Sequence, residues 1–404
     1  MTPKKSRTAP GAVPAKPAQD ALLFPIAADN STYERSAANK TEPEELLLPS
    51  HHEARKLCQL AAEIKSLSPW QWMEETDVFG VEDPDTDEIA FVSVMGTVGE
   101  YEAVAAYRGA EGIYGFIDVQ TDDSASHDRL IEIPQVQLSF SEPGFLEKRD
   151  RELLKGSGVK FTGSRPLFRS YRPGFLPWFI TLSEARMLIH ALSQTLEMSK
   201  RFAIDANIFP NDGDDETTTF LVRVSHQDDV SHLKGTESPP KSSSAGLIWE
   251  DRVKRISRPA SPRIETIIDS GLLNGLKDVP RSALQLEADL FIGPGSVGKS
   301  GERPLALYML MLADRQSGII LGFEALSAEP SLNTMYASVP ETIVRLLWQN
   351  KVFPKQIVVR SDLLLNLLEP LEKELKIQLR RAIRLPAIDE AAASMTRWLQ
   401  TGKV

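Results

Sequence analysis

Apolar positions along the chain repeat first at helical and then at strand spacing. Ala54, Leu57, Cys58, Ala61 and Ile64 recur every three or four residues until Pro69, which predicts an amphipathic helix. Ser50-His-His-Glu53 has the hydroxyl-to-carboxylate spacing of a capping box, so the helix is expected to start there. Short apolar runs at 78–81, 89–95, 101–107 and 133–140 predict strands, with the acidic stretch Glu82 to Asp87 as a turn. Residues 168–180 read as extended chain broken at Pro173-Gly174. Thr181-Leu-Ser-Glu184 is a second capping box, opening a helix with Leu182, Ala185, Ile189, Leu192 and Leu196 on one face. These elements predict an α+β domain.

The pattern changes over 205–262. Two strand candidates, 220–224 and 247–249, are expected to pair at the edge of this domain, with a long mobile loop at about 225–246 between them. The basic stretch from Arg252 to Arg263 then leads into a second domain. There, strands are predicted at 284–292, 305–313 and 319–326. Ser338-Val-Pro-Glu341 is expected to cap the next helix, followed by an apolar strand at 356–359. A helix over 362–375 with a break at Pro370, a strand at 377–382 and a helix over 389–399 complete the order β-β-β-α-β-α-β-α. The expected division is a disordered tail over 1–45, an α+β domain over 46–257 and an α/β domain over 263–404.

Charge adds to this picture. The chain has 404 residues and a formal net charge of -10. The segments 1–45, 46–204, 205–262 and 263–404 carry nets of 0, -8, -3 and +1. The first domain should therefore repel a phosphate backbone, and nucleic acid is conceivable only for the neutral second domain. Cations at Lys4, Lys5, Arg7 and Lys16 precede no apolar segment, and the longest relevant apolar run, 305–313, is half a bilayer span. A soluble cytoplasmic protein without membrane contact is expected. The single cysteine, Cys58, excludes an internal disulfide and a multi-cysteine zinc site.

Residues 293–300, Gly-Pro-Gly-Ser-Val-Gly-Lys-Ser, fit the phosphate-loop pattern. That device needs a helix directly behind the glycines, so that N–H groups point at the phosphates. Here Gly301 and Pro304 lead at once into an apolar strand. The segment is therefore expected to be a hairpin tip, and nucleotide binding through it is the weakest functional alternative.

The element order of the second domain resembles the ribonuclease-H-like fold, in particular the catalytic core of retroviral integrases and transposases. The resemblance implies acids on the first strand, at the end of the fourth strand and on a late helix, holding two divalent metals, Mg or Mn, for phosphodiester cleavage. By position, the first is Glu287 or Asp289, the second Asp362 and the third Asp389 or Glu390. Asp289, Asp362 and Glu390 are the catalytic and metal-binding set under this nuclease alternative. Ser361-Asp362 and Asp389 also suit helix N-termini.

The whole chain also resembles a bacterial two-domain family of unknown function. The segments that carry this are Pro69-Trp-Gln-Trp-Met73, Tyr107-Arg-Gly-Ala-Glu-Gly112, Pro173-Gly-Phe-Leu-Pro-Trp178 and Phe353-Pro-Lys-Gln-Ile-Val-Val-Arg360. It implies no established activity, cofactor or substrate. Elsewhere the histidines are scattered, no Gly-x-Ser-x-Gly nucleophile elbow occurs, and Trp70, Trp72 and Trp178 are expected to gather with Tyr107. The leading expectation is a non-catalytic interaction or regulatory module with a protein partner and no cofactor.

Overall fold

The computed structural model describes residues 47–97, 99, 101–121, 127–210, 213, 216–227, 247–260, 264–266, 268–299 and 301–401. The expected tail over 1–45 lies outside these residues, as does the expected loop beyond residue 227.

The first unit opens with α1 (His51–Leu67), whose capping box is formed: Ser50 and Glu53 satisfy each other's end of the helix. Strands β1 (Phe79–Glu82), β2 (Ile89–Met95) and β3 (Ala103–Arg108) follow, then α2 (Gly109–Thr121), β4 (Gln135–Ser141), α3 (Lys148–Ser157) and β5 (Arg165–Tyr171). Helix α4 (Leu182–Ile204) starts at the Thr181 capping box, and β6 (Thr217–Gln227) and β7 (Leu247–Ser257) close the unit. The sheet has the order β5-β4-β3-β2-β1-β6-β7 and is antiparallel except where β1 meets β6. Arg252 to Ser257 belong to β7 and do not lead away from the sheet, which corrects the expectation for that basic stretch.

Strand alternation sends Phe79, Val81, Val92 and Val104 to one face under α1 and α4, while Phe91, Ala105 and Tyr107 face α2. The tryptophans do not gather. Trp70 packs on Phe140, Trp72 donates to the Ser199 carbonyl at 3.0 Å, Trp178 lies beside Phe179, and Tyr107 stacks on Phe116 across the sheet.

The second unit begins with α5 (Ser270–Lys277), followed by β8 (Gln285–Val297), β9 (Leu305–Asp314) and β10 (Ile320–Ser327). Next come α6 (Leu332–Gln349), β11 (Gln356–Val359), α7 (Asp362–Leu367), α8 (Glu369–Leu375), β12 (Gln378–Arg381) and α9 (Pro386–Thr401). Helix α6 starts two turns before the expected cap. Ser331 accepts from the Thr334 amide at 3.1 Å, and Pro340 sits inside the helix. The sheet order is β10-β9-β8-β11-β12. β10, β9 and β8 are antiparallel, and β11 lies parallel to both β8 and β12. All four residues of β11 are buried, as two-sided coverage demands. Burying Ile357 or Val359 contributes about 2 kcal/mol each.

Among the described residues, the glycine-rich stretch contains no helix. β8 and β9 slip register between Ile292 and Ser296, so Gly293-Pro-Gly295 form a bulge within the strand pair. A Cβ on Gly293 would lie 2.4 Å from Met309 Cγ, and Gly295 has φ +119°. The glycines thus serve close approach of neighbouring strands and the turn behind them.

The units meet along this hairpin. Leu176 N donates to Pro304 O at 3.0 Å and Ala306 N to Gly174 O at 2.9 Å. Ile131, Tyr171 and Leu176 of the first unit enter the hydrophobic core of the second.

Candidate functional site

β8 and β11 run side by side in the same direction, but the chain leaves them toward opposite edges of the sheet. Such a switch point opens a crevice beyond the carboxyl ends of the strands, where ligands of open α/β sheets bind. A cavity of about 400 Å³ lies there, walled also by Glu132 and Pro173 of the first unit.

Its polar floor is built by three elements. The last paired residues are Ala288 and Val359, so Asp289 and Arg360 stand one position beyond them, on adjacent strands. Asp389 comes from the first turn of α9. One guanidinium nitrogen serves both acids: Arg360 Nη2 lies 3.1 Å from Asp289 Oδ2 and donates to Asp389 Oδ1. Burial pushes the Asp289 carboxyl up to about 6, against the lowering effect of Arg360. The two acids hold Arg360 charged although its burial opposes that. Arg360 Nε is buried without a hydrogen-bond partner.

Glu287 sets the position of α9. Its side chain is fully buried, and Oε2 accepts from the Ala387 and Ile388 amides at 2.9 and 3.3 Å, at the positive end of the helix. Burial nevertheless raises its pKa. Glu287 therefore anchors the helix that carries Asp389, which answers the choice between Glu287 and Asp289 as the cavity acid: only Asp289 lines the cavity.

The remaining sequence candidates lie elsewhere. Asp362 is exposed in the first turn of α7 and lies 3.3 Å from Arg381 Nε. Glu390 is exposed on α9 and does not line the cavity. Asp289, Asp362 and Glu390 are therefore not gathered around one point. No group of three or more His, Cys, Asp or Glu able to hold a metal occurs among the described residues. The set does not fit a two-metal centre, because Asp289 and Asp389 already share a guanidinium and Asp362 turns to Arg381.

The residue that sequence reasoning missed is Arg360. The available signal was a cation directly behind a buried strand, Gln356 to Val359, at the end where such crevices open.

Comparison with known proteins follows the two units. Residues 55–223 match the family model of a domain of unknown function, DUF7309, and residues 272–396 match that of another, DUF6930. The chain is a two-domain protein made of these two domains of unknown function. No curated protein and no solved structure matches it. The DUF7309 match ends within β6, yet the sheet of that domain continues through β7. The floor of the cavity belongs wholly to the DUF6930 domain, and the DUF7309 domain supplies part of its rim. No helix among the described residues is long and apolar enough to cross a membrane.

Proposed function

We propose that this chain is a non-catalytic binding module in which the DUF6930 domain has the ribonuclease-H-like arrangement and an arginine takes the place of its metal. The strand order with the third, second, first, fourth and fifth strands side by side, and the parallel pairing of first, fourth and fifth, support the fold reading. The observation that carries the functional reading is Arg360 Nη2 bound to both Asp289 and Asp389. A guanidinium supplies one fixed positive charge and no open coordination position, so it cannot lower the pKa of a bound water as a metal does.

What remains is a cavity of a volume suited to a small molecule or to a side chain of a protein partner, with apolar walls from Leu363, Leu364 and Ile388. Recognition there would be read by both domains at once, which fits an interaction or regulatory role in the bacterial cytoplasm. The test uses the purified full chain with magnesium or manganese and labelled RNA, DNA and RNA–DNA hybrid. No cleavage is expected. Cleavage that disappears in Asp289→Asn would overturn the proposal in favour of the nuclease alternative.

A further inference from the structure

A second polar cluster, which shares no residue with the cavity lining, lies where the hairpin of the second domain touches the first. Glu184 is 2 % exposed and works as the buried centre of the cluster. Its Oε2 accepts from the Thr181 amide at 2.9 Å, and its Oε1 accepts from Ser170 Oγ at 2.7 Å and from Arg172 Nη2 at 3.0 Å. Arg108 Nη1 approaches to 3.8 Å and is also paired with Glu88 at 2.8 Å. Arg303 then enters from the β8–β9 turn, and its Nη2 donates to the Ser170 carbonyl at 3.2 Å.

Three guanidinium groups thus converge on one buried carboxylate. Arg108 has Glu88 and Arg172 has Glu184, whereas Arg303 makes its contact to a carbonyl and no ion pair among the described residues. Arg303 Nη1 and Arg172 Nε are both buried without a hydrogen-bond partner. Burial and the charges of Arg172 and Arg108 press the Arg303 pKa down to about 10, with Glu184 opposing. A half-buried cation with no ion pair of its own and two buried guanidinium donors without partners call for an acceptor.

We propose that a compact oxyanion, the phosphate group of a small molecule or free phosphate, binds at the seam of the two domains between Arg172 and Arg303. Two guanidinium groups offer forked donors that match the several oxygens of such an anion. Arg172 and Arg108 are 38 and 30 % exposed, so the cluster is reached from solvent along them. Capture turns the Arg172 head so that its Nε edge faces the anion, while Nη2 keeps Glu184. Because Arg303 belongs to the second domain, the bound anion links the domains. This site shares no residue with the cavity and does not depend on the function proposed for it.

The test is thermal unfolding of the full chain in chloride, inorganic phosphate and a nucleoside monophosphate at equal ionic strength, for the wild type and Arg303→Met. The wild type is expected to gain about 3 °C in one or both phosphate arms relative to Arg303→Met. The arm with the larger gain identifies free phosphate or a phosphorylated molecule as the ligand. In chloride, Arg303→Met is expected to be at least as stable as the wild type, because a half-buried charge without an ion pair has been removed. If Arg303→Met does not fold, Arg172→Met gives the same readout, since Glu184 keeps Ser170 and Thr181. Equal gains in wild type and variant, or no gain in the wild type, would overturn the proposal. So would a gain lost only in Lys299→Ala, which would assign the anion to the glycine-rich turn.

Discussion

The titration of Asp289 follows from its surroundings. Its carboxyl is raised from 3.8 to about 6, chiefly by burial. The folded state therefore holds this proton more tightly than the unfolded chain. The contribution to stability is complete below about pH 4 and is lost as pH rises through about 6. The shift corresponds to roughly 3 kcal/mol, and at 9 % exposure solvent screens it little. Asp289→Asn cannot titrate. Relative to this variant, the wild type should lose about 3 kcal/mol between pH 4 and pH 8, read by urea unfolding across the pH series. A constant difference would show that Asp289 is not held in this environment. The position of Asp289 was legible in the sequence as an acid on a strand. Its partner was not, because pairing with Arg360 depends on β8 and β11 being neighbours, although the two residues lie 71 positions apart in the chain.

At the level of elements, capping chemistry was the most readable signal. The boxes at Ser50 and Thr181 start helices where expected, because both partners lie within four residues. The Ser338 motif misled for the same local reason: its spacing is right, but Ser338 already lies inside α6 and its hydroxyl donates back to the Met335 carbonyl at 2.7 Å. Ser331 is the working cap, and Ser331→Ala should cost about 1 kcal/mol in chemical denaturation, with Ser338→Ala costing less. Helices α2, α3 and α5 escaped notice. α2 contains Gly109, Gly112 and Gly115, and a Cβ on Gly112 would lie 2.8 Å from the Pro134 carbonyl, so packing demands override helix propensity there. The long helix α4 is tied to β6 and β7 by Arg223, which is 4 % exposed. Arg223 reaches Gln194 at 2.8 Å, Glu197 at 2.9 Å and also Asp251. Arg223→Met leaves these acceptors behind and should destabilise the first domain by about 3 kcal/mol in the same measurement.

Across the whole molecule, the order of the strands was visible in the sequence, while three of the helices and the docking of the domains were not. Contacts between residues far apart in the chain leave no period in it. Glu132 of the first domain accepts from Tyr308 at 2.7 Å and Tyr336 at 3.2 Å, both in the second. Gly174, at φ +84°, lets the chain pass where a Cβ would lie 2.8 Å from Ala328 Cβ. Gly174→Ala should therefore loosen the seam and speed limited proteolysis of the connection over 258–269, with Tyr308→Phe acting in the same direction. Unchanged cleavage in both variants would mean that these contacts do not hold the domains together. The account as a whole rests on Arg360 standing as an internal cation between Asp289 and Asp389. Its most direct test is titration of the full chain with Mn²⁺, followed by the electron paramagnetic resonance of the free ion, in wild type, Arg360→Ala and Asp289→Asn. The account predicts that the wild type leaves Mn²⁺ free, as Asp289→Asn does, and that only Arg360→Ala can take it up. Tight Mn²⁺ binding by the wild type, lost in Asp289→Asn, would contradict it.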